Sequence, residues 1–177
     1  MRSSILAILI SGSAGLIQSS DLPHAFPREG AVQLADNDRV AIWDVTWLKG
    51  KPSPMHRHRY DLVGVYLVGS TIRITLPDGA ARESTVEPGF ILYQREAVTH
   101  IEEGTADIPR HAILADIKGG PVGETPNLSG QPAAFPRMGV RRALDNEKVV
   151  IWEYAWTLGQ PTGMHFHDKD MFVVFMA

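Results

Sequence analysis

Histidine is the residue type with the clearest chemical pattern in this sequence. His56 and His58 stand two apart, and the same pairing recurs as His165 and His167. Side chains two apart on a β-strand share a face, so each pair presents two imidazoles side by side. Neutral imidazole is the commonest protein ligand for a metal ion, but two do not complete a site. A third donor has to come from another strand, and His100 is the candidate. His24 and His111 have no such pattern and read as surface or packing residues.

The paired histidines belong to a longer repetition. Residues 23–61 and 132–170 align without a gap at an offset of 109, with 18 of 39 positions identical. Trp43 and Trp47 match Trp152 and Trp156. Four apart on a strand, each tryptophan pair faces one side, which points to core or inter-domain packing rather than a stacking platform for a ligand. Seven residues follow Asp170, and the counterpart of His100 would fall near position 209, past the 177 residues of the chain.

The elements that must position these groups are strands. Residues 39–48 and 55–68 are rich in β-branched and aromatic side chains. Further strands are expected over 71–76, 82–86, 90–93, 98–102 and 111–118, with turns at Pro77-Asp78-Gly79 and Glu87-Pro88-Gly89. Residues 22–34 read as a lead-in, and residues 164–177 as the counterpart of the strand over 55–68. Short strands with frequent turn signals and no helical period describe a small sandwich or barrel. Residues 119–137 hold four Gly and four Pro and read as a linker and lead-in between the copies.

Bulk properties narrow the class. Apolar residues make up 44% and net charge is −3, which suits a globular protein with a core. No basic run marks a nucleic-acid surface, and Arg137, Arg141 and Arg142 read as a solvated cluster. Arg2, an apolar stretch from Ser4 to Ile17, and Ser19 and Ser20 have the order of an export signal over residues 1–20. No membrane span is expected in the mature chain. Cysteine is absent, so there are no disulfides or thiolate ligands.

Two stretches resemble the cupin superfamily. Gly50-Lys-Pro-Ser-Pro-Met-His56-Arg-His58, with Gly69 further on, resembles the first cupin motif. Gly89 to Gly104, with His100 inside it, has the spacing of the second, although Arg95, Ala97 and Gly104 stand where the family has Pro, Gly and Asn. The resemblance implies an all-β fold: a cupin-like antiparallel jelly-roll barrel, one complete unit plus a partial second unit. The complete unit would span residues 23–118 and the N-terminal part of the second 138–177. The plan is bicupin-like.

The resemblance also implies a metal near the mouth of the barrel, one divalent ion per complete unit, with Fe, Zn, Mn and Ni all compatible. The family's glutamate ligand is missing: Leu62 holds that position, and Met171 in the second copy. Asp61 and Asp170 come one residue earlier. Alternation puts Asp61 on the opposite face unless a bulge turns it inward, so it is read as an outward hydrogen-bond or ion-pair partner. The pattern HxHxxD is also similar to that of small cupins of β-alanine degradation.

The expected site is therefore His56, His58 and His100. Cupin dioxygenases acting on thiols and diketones use three histidines without the acid, so the resemblance is compatible with catalysis. Three neutral ligands leave the ion's full charge and favour an anionic ligand. Tyr60 could donate a hydrogen bond there if it faces inward; its counterpart is Lys169. His165 and His167 form a possible partial second site. The functions expected are a metal-dependent dioxygenase or lyase acting on a small organic acid or carbonyl compound. A non-catalytic cupin binding a metal or small ligand, or a gene fragment without a working second site, is the alternative. An unfinished barrel would expose strand edges that a second chain could pair, giving a homo-oligomer.

Overall fold

Alternation is clearest in the strand carrying the first tryptophans, where every second side chain of Val40–Trp47 is buried: Ala41, Trp43, Val45 and Trp47. The computed structural model describes residues 22–120 and 125–176. The export signal read over residues 1–20 lies outside the described residues, as do residues 121–124 of the linker. Among the described residues no helix is long and apolar enough to cross a membrane.

Strands form the whole regular structure of the described chain. β1 (Ala31–Asp36) and β2 (Val40–Trp47) are followed by β3 (His56–Arg57), β4 (Asp61–Val68), β5 (Ser70–Thr75) and β6 (Ala81–Val86). β7 (Ile91–Gln94), β8 (Thr99–Gly104) and β9 (Arg110–Ile117) complete the first copy. One sheet has the order β1-β2-β9-β4-β7 and the other β3-β8-β5-β6, with antiparallel pairing throughout. This is the all-β, cupin-like antiparallel jelly roll expected from the motifs. Phe26, Trp43, Val45, Trp47, Leu62, Tyr66, Ile72 and Leu114 form its core. The Phe26 and Trp43 rings stack at 5.1 Å. Burying side chains of this size stabilises by roughly 2–3 kcal/mol each.

Arg110 ties the two sheets together. It begins β9 in one sheet, and its guanidinium donates to the backbone carbonyls of Ser70, at 2.9 Å, and Ser84 in the other. Close approach of backbones fixes small residues nearby. A Cβ on Gly104 would lie 2.4 Å from the Trp47 carbonyl oxygen.

Three elements differ from the sequence expectation. Residues 55–68 are two strands in different sheets: β3 pairs with β8, and β4 pairs with β7 and β9. The chain crosses between sheets over residues 58–60, so strict alternation does not carry through them. β1 occupies part of the expected lead-in. It is an edge strand whose side chains are mostly exposed, which removes the apolar period that would mark it. Residues 164–176 form one isolated bridge, Ala133 with Phe166, and no strand. A strand requires a ladder, and none of the described residues gives this stretch the partners that β7, β8 and β9 give β3 and β4.

The second copy does form its first hairpin, β10 (Val140–Asp145) with β11 (Val150–Tyr154). Its register break between Arg142 and Leu144 matches the one between Gln33 and Ala35. Phe135 stacks on Trp152 at 5.2 Å, as Phe26 does on Trp43.

Between β7 and β8 the chain turns at Ala97, with φ 70°, a conformation that disfavours any side chain. Its N–H donates to the His58 carbonyl at 2.8 Å, so this turn ties two histidine-bearing segments together. Ala97→Gly should raise stability by up to about 1 kcal/mol, since relief of the left-handed strain exceeds the added freedom of the unfolded chain. Thermal or urea denaturation checks this, and a lower midpoint would contradict it.

Candidate metal centre

The site begins with backbone register. β3 and β8 pair antiparallel with His56 directly opposite His100. The His58 N–H donates to the Val98 carbonyl at 3.0 Å, extending the pairing one residue beyond β3. His56 and His58 then project to the same side, as their spacing requires. The ring centroids are 5.1 Å apart for His56 and His58, 4.8 Å for His56 and His100, and 5.1 Å for His58 and His100. All three residues are buried, at 2%, 2% and 4% exposure. One ligand nitrogen from each lies within 4.8 Å of the others.

Hydrogen bonding fixes one tautomer. The Nδ1 of His56 lies 3.0 Å from the Pro54 carbonyl, which only accepts, so Nδ1 carries the proton. Its Nε2 is left with a free lone pair, buried and without a hydrogen-bond partner among the described residues. Metal-ligating histidines are commonly oriented by such a bond through the other nitrogen. The Nε2 atoms of His58 and His100 are 3.2 Å apart, comparable with the spacing of two nitrogens sharing an ion at about 2.0–2.1 Å. The Nδ1 of His58 is buried without a hydrogen-bond partner among the described residues. These donors fit a divalent metal.

Burial sets the charge state. It pushes His56 down to about 4 and His58 down to about 3, and lowers His100 as well. All three are neutral at neutral pH and keep their lone pairs.

A carboxylate that the sequence reading gave no role stands beside them. Glu102 is two residues beyond His100 on β8, so it shares the same face, and its Oε1 is 3.7 Å from His100 Nε2. Its Oε2 accepts from Arg28 at 2.9 Å and from Trp47 Nε1 at 3.0 Å. The Glu102 N–H donates to Ser53 Oγ at 3.0 Å. Burial opposes ionisation, but the Arg28 charge, the nearby His100 and His56 and the Trp47 bond outweigh it and hold the carboxyl down at about 2. Glu102 was legible in principle, because its spacing from His100 is that of one strand face. Arg28 carried no such signal; the segment before β1 brings it in.

The remaining sequence candidates are placed elsewhere. Asp61 accepts from Tyr93 Oη at 2.6 Å and from the Glu96 N–H at 2.8 Å, and Lys148 of the second copy approaches within 3.2 Å. Burial opposes ionisation there too, but these partners outweigh it and keep its carboxyl below the ordinary range. Leu62 is in the apolar core. Tyr60 is edge-on to His24 at 5.6 Å and lines an open cleft of about 600 Å³ with Asp36, Asn37, Asp38 and Lys118. That cleft touches none of the three histidines, and among the described residues the Tyr60 hydroxyl makes no hydrogen bond to them. The crossing over residues 58–60 breaks the alternation that would have turned Tyr60 inward.

His24 and His111 each meet an aspartate. The Nε2 of His24 donates to Asp116 at 3.0 Å while its Nδ1 accepts from the Arg59 N–H, and His111 lies 2.7 Å from Asp44. In the second copy the Nε2 atoms of His165 and His167 are 3.0 Å apart, and Nδ1 of His165 faces the Gly163 carbonyl at 2.8 Å. That reproduces the bond of His56 to Pro54. A smaller cleft of about 290 Å³ next to the buried cluster is lined by Arg28, Glu29, Trp47, Lys51 and Ser53, among others.

No protein-family model matches the chain. It is 28% identical over 159 residues to a probable membrane transporter protein, MamO, of Paramagnetospirillum magneticum, covering 88% of this chain. The chain spans about a quarter, 23%, of that relative's length. Similar solved structures include a cupin domain from Bordetella pertussis, 25% identical with a TM-score of 0.46, covering 53% of this chain and 99% of that one. Others are an RmlC-like cupin family protein from Methanocaldococcus jannaschii (16%, TM-score 0.42, 58% and 93% covered) and the polyketide cyclase RemF from Streptomyces resistomycificus (18%, 0.43, 59% and 79%).

Neutral burial of the histidines makes stability depend on pH. Above about pH 6.5 both folded and unfolded chains keep them neutral, and their contribution is fully present. Below that the unfolded chain binds protons that the folded chain refuses, until about pH 4 for His56 and about pH 3 for His58. Metal-free protein should therefore show a melting temperature that is level above about pH 7 and falls between about pH 6.5 and 4. A level profile through that window would contradict neutral burial.

Proposed function

We propose that this protein binds one divalent metal ion through His56, His58 and His100 and acts on a small organic acid or carbonyl compound. One observation carries the reading: three buried neutral imidazoles converge, and the buried Nε2 of His56 has no hydrogen-bond partner among the described residues. When bound, the ion would supply Lewis-acid or redox chemistry; Fe, Zn, Mn and Ni all accept such donors.

The chain's own groups divide the remaining tasks. Pro54 holds the His56 tautomer, and Ser53 lies 3.3 Å from the same nitrogen. Arg28, paired with Glu102, and Lys51, paired with Glu29, line the adjacent cleft and give it polar groups able to orient a small polar substrate. The function is assigned to the unit over residues 23–118, with residues 138–177 as a partial second unit and residues 1–20 as an export signal.

Binding without turnover is a second reading. It is favoured by Glu102, the carboxylate beside the histidines, whose Oε2 is already engaged by Arg28 and the Trp47 indole N–H. Oxygen uptake and product analysis with thiols, diketones and small acids separate the two readings.

Metal analysis of the purified protein should give about one ion per chain, falling about tenfold or more in His56→Ala and in His100→Ala. Metal-free protein, or unchanged metal content in both variants, would overturn the site.

A further inference from the structure

We infer that Glu102 is a fourth ligand of the metal centre, supplying from β8 the carboxylate that the first motif lacks. This rests on the metal-binding reading above and adds a residue to it.

The first motif offers no carboxylate. Leu62 is apolar and buried in the core, and Asp61 is engaged by Tyr93, the Glu96 N–H and Lys148. Glu102 stands on the face that carries His100, with Oε1 3.7 Å from His100 Nε2. The two carboxylate oxygens are used differently. Arg28 and Trp47 both bond Oε2, while Oε1 accepts no hydrogen bond from a described residue. The group is held by its charged partner, by an indole N–H and, through its own backbone, by Ser53, leaving one oxygen toward His100.

Charge supports the same assignment. Three neutral imidazoles leave a divalent ion with its full charge in a buried site, and a buried charge requires a partner. Glu102 supplies one negative charge at the cluster. Arg28, with its side chain only 9% exposed, holds the carboxylate through Oε2, while Oε1 is the oxygen that approaches His100. Arg28 acts through Glu102 and is a positioning residue. Metal-ligating carboxylates are commonly oriented by hydrogen bonds from outer partners.

The test uses Co(II) on the full metal-free chain, because its visible absorption reports ligand number and type. Wild-type protein should bind about one Co(II). The near-isosteric Glu102→Gln, with Glu102→Ala beside it, should weaken binding about 10–100-fold in chelator competition and change the absorption bands. Circular dichroism checks folding, and if the alanine variant does not fold the glutamine variant decides. If both affinity and spectrum stay unchanged in folded Glu102→Gln while His100→Ala abolishes binding, the Glu102 assignment falls and the three-histidine site stands. If wild-type protein binds no Co(II), both fall.

Discussion

The antiparallel register between β3 and β8 is the constraint on which the site depends. It sets His56 opposite His100 and, through the bond from His58 to Val98, brings the third imidazole to the same place. β3 is only two residues long, so its position is secured from outside the strand. Arg57 donates to the Pro23 carbonyl, Ser53 to the Glu102 carbonyl, and Ala97 to the His58 carbonyl. A one-residue slip would turn the imidazoles to the other face. The strain at Ala97 is thus located in the turn that helps hold this register.

Burial makes the arrangement electrostatically one-sided. Imidazoles removed from water stay neutral, and so they offer lone pairs rather than charge. The half-buried Glu102 carboxylate beside them is tolerable because Arg28 and Trp47 bond it, with Arg28 itself lying over the Trp47 ring at 5.4 Å. Core and site share residues here. Trp47 packs in the apolar cluster with its ring and serves Glu102 with its indole N–H.

The second copy shows how far local sequence carries structure. Its hairpin, its Phe135–Trp152 stack and its His165 bond to the Gly163 carbonyl repeat the first copy feature for feature. Arg137 occupies the place of Arg28, lies over Tyr154 at 4.1 Å, and has buried nitrogens without hydrogen-bond partners among the described residues. Lys148 turns the repetition into a contact by reaching Asp61 of the first copy. Features made within a few residues recur, whereas the strand that would need distant partners does not form.

Short-range order was legible because its causes are short-range. The alternation in Val40–Trp47, the turn at Asp78-Gly79 and the shared face of His56 and His58 follow from strand period and turn chemistry alone. The edge strand β1 was not legible, since an exposed edge leaves no apolar period. Nor was the break over residues 58–60, because a chain changing sheets leaves no local mark; it misdirected Tyr60. The sequence by itself determined an all-β chain with two histidine pairs and one further histidine at motif spacing. Only the tertiary structure decided that the three imidazoles are buried together, that Asp61 faces Tyr93 and Lys148, and that Arg28 presents Glu102 to the cluster. Those outcomes depend on pairing between residues far apart in sequence, whose register and burial no local pattern encodes.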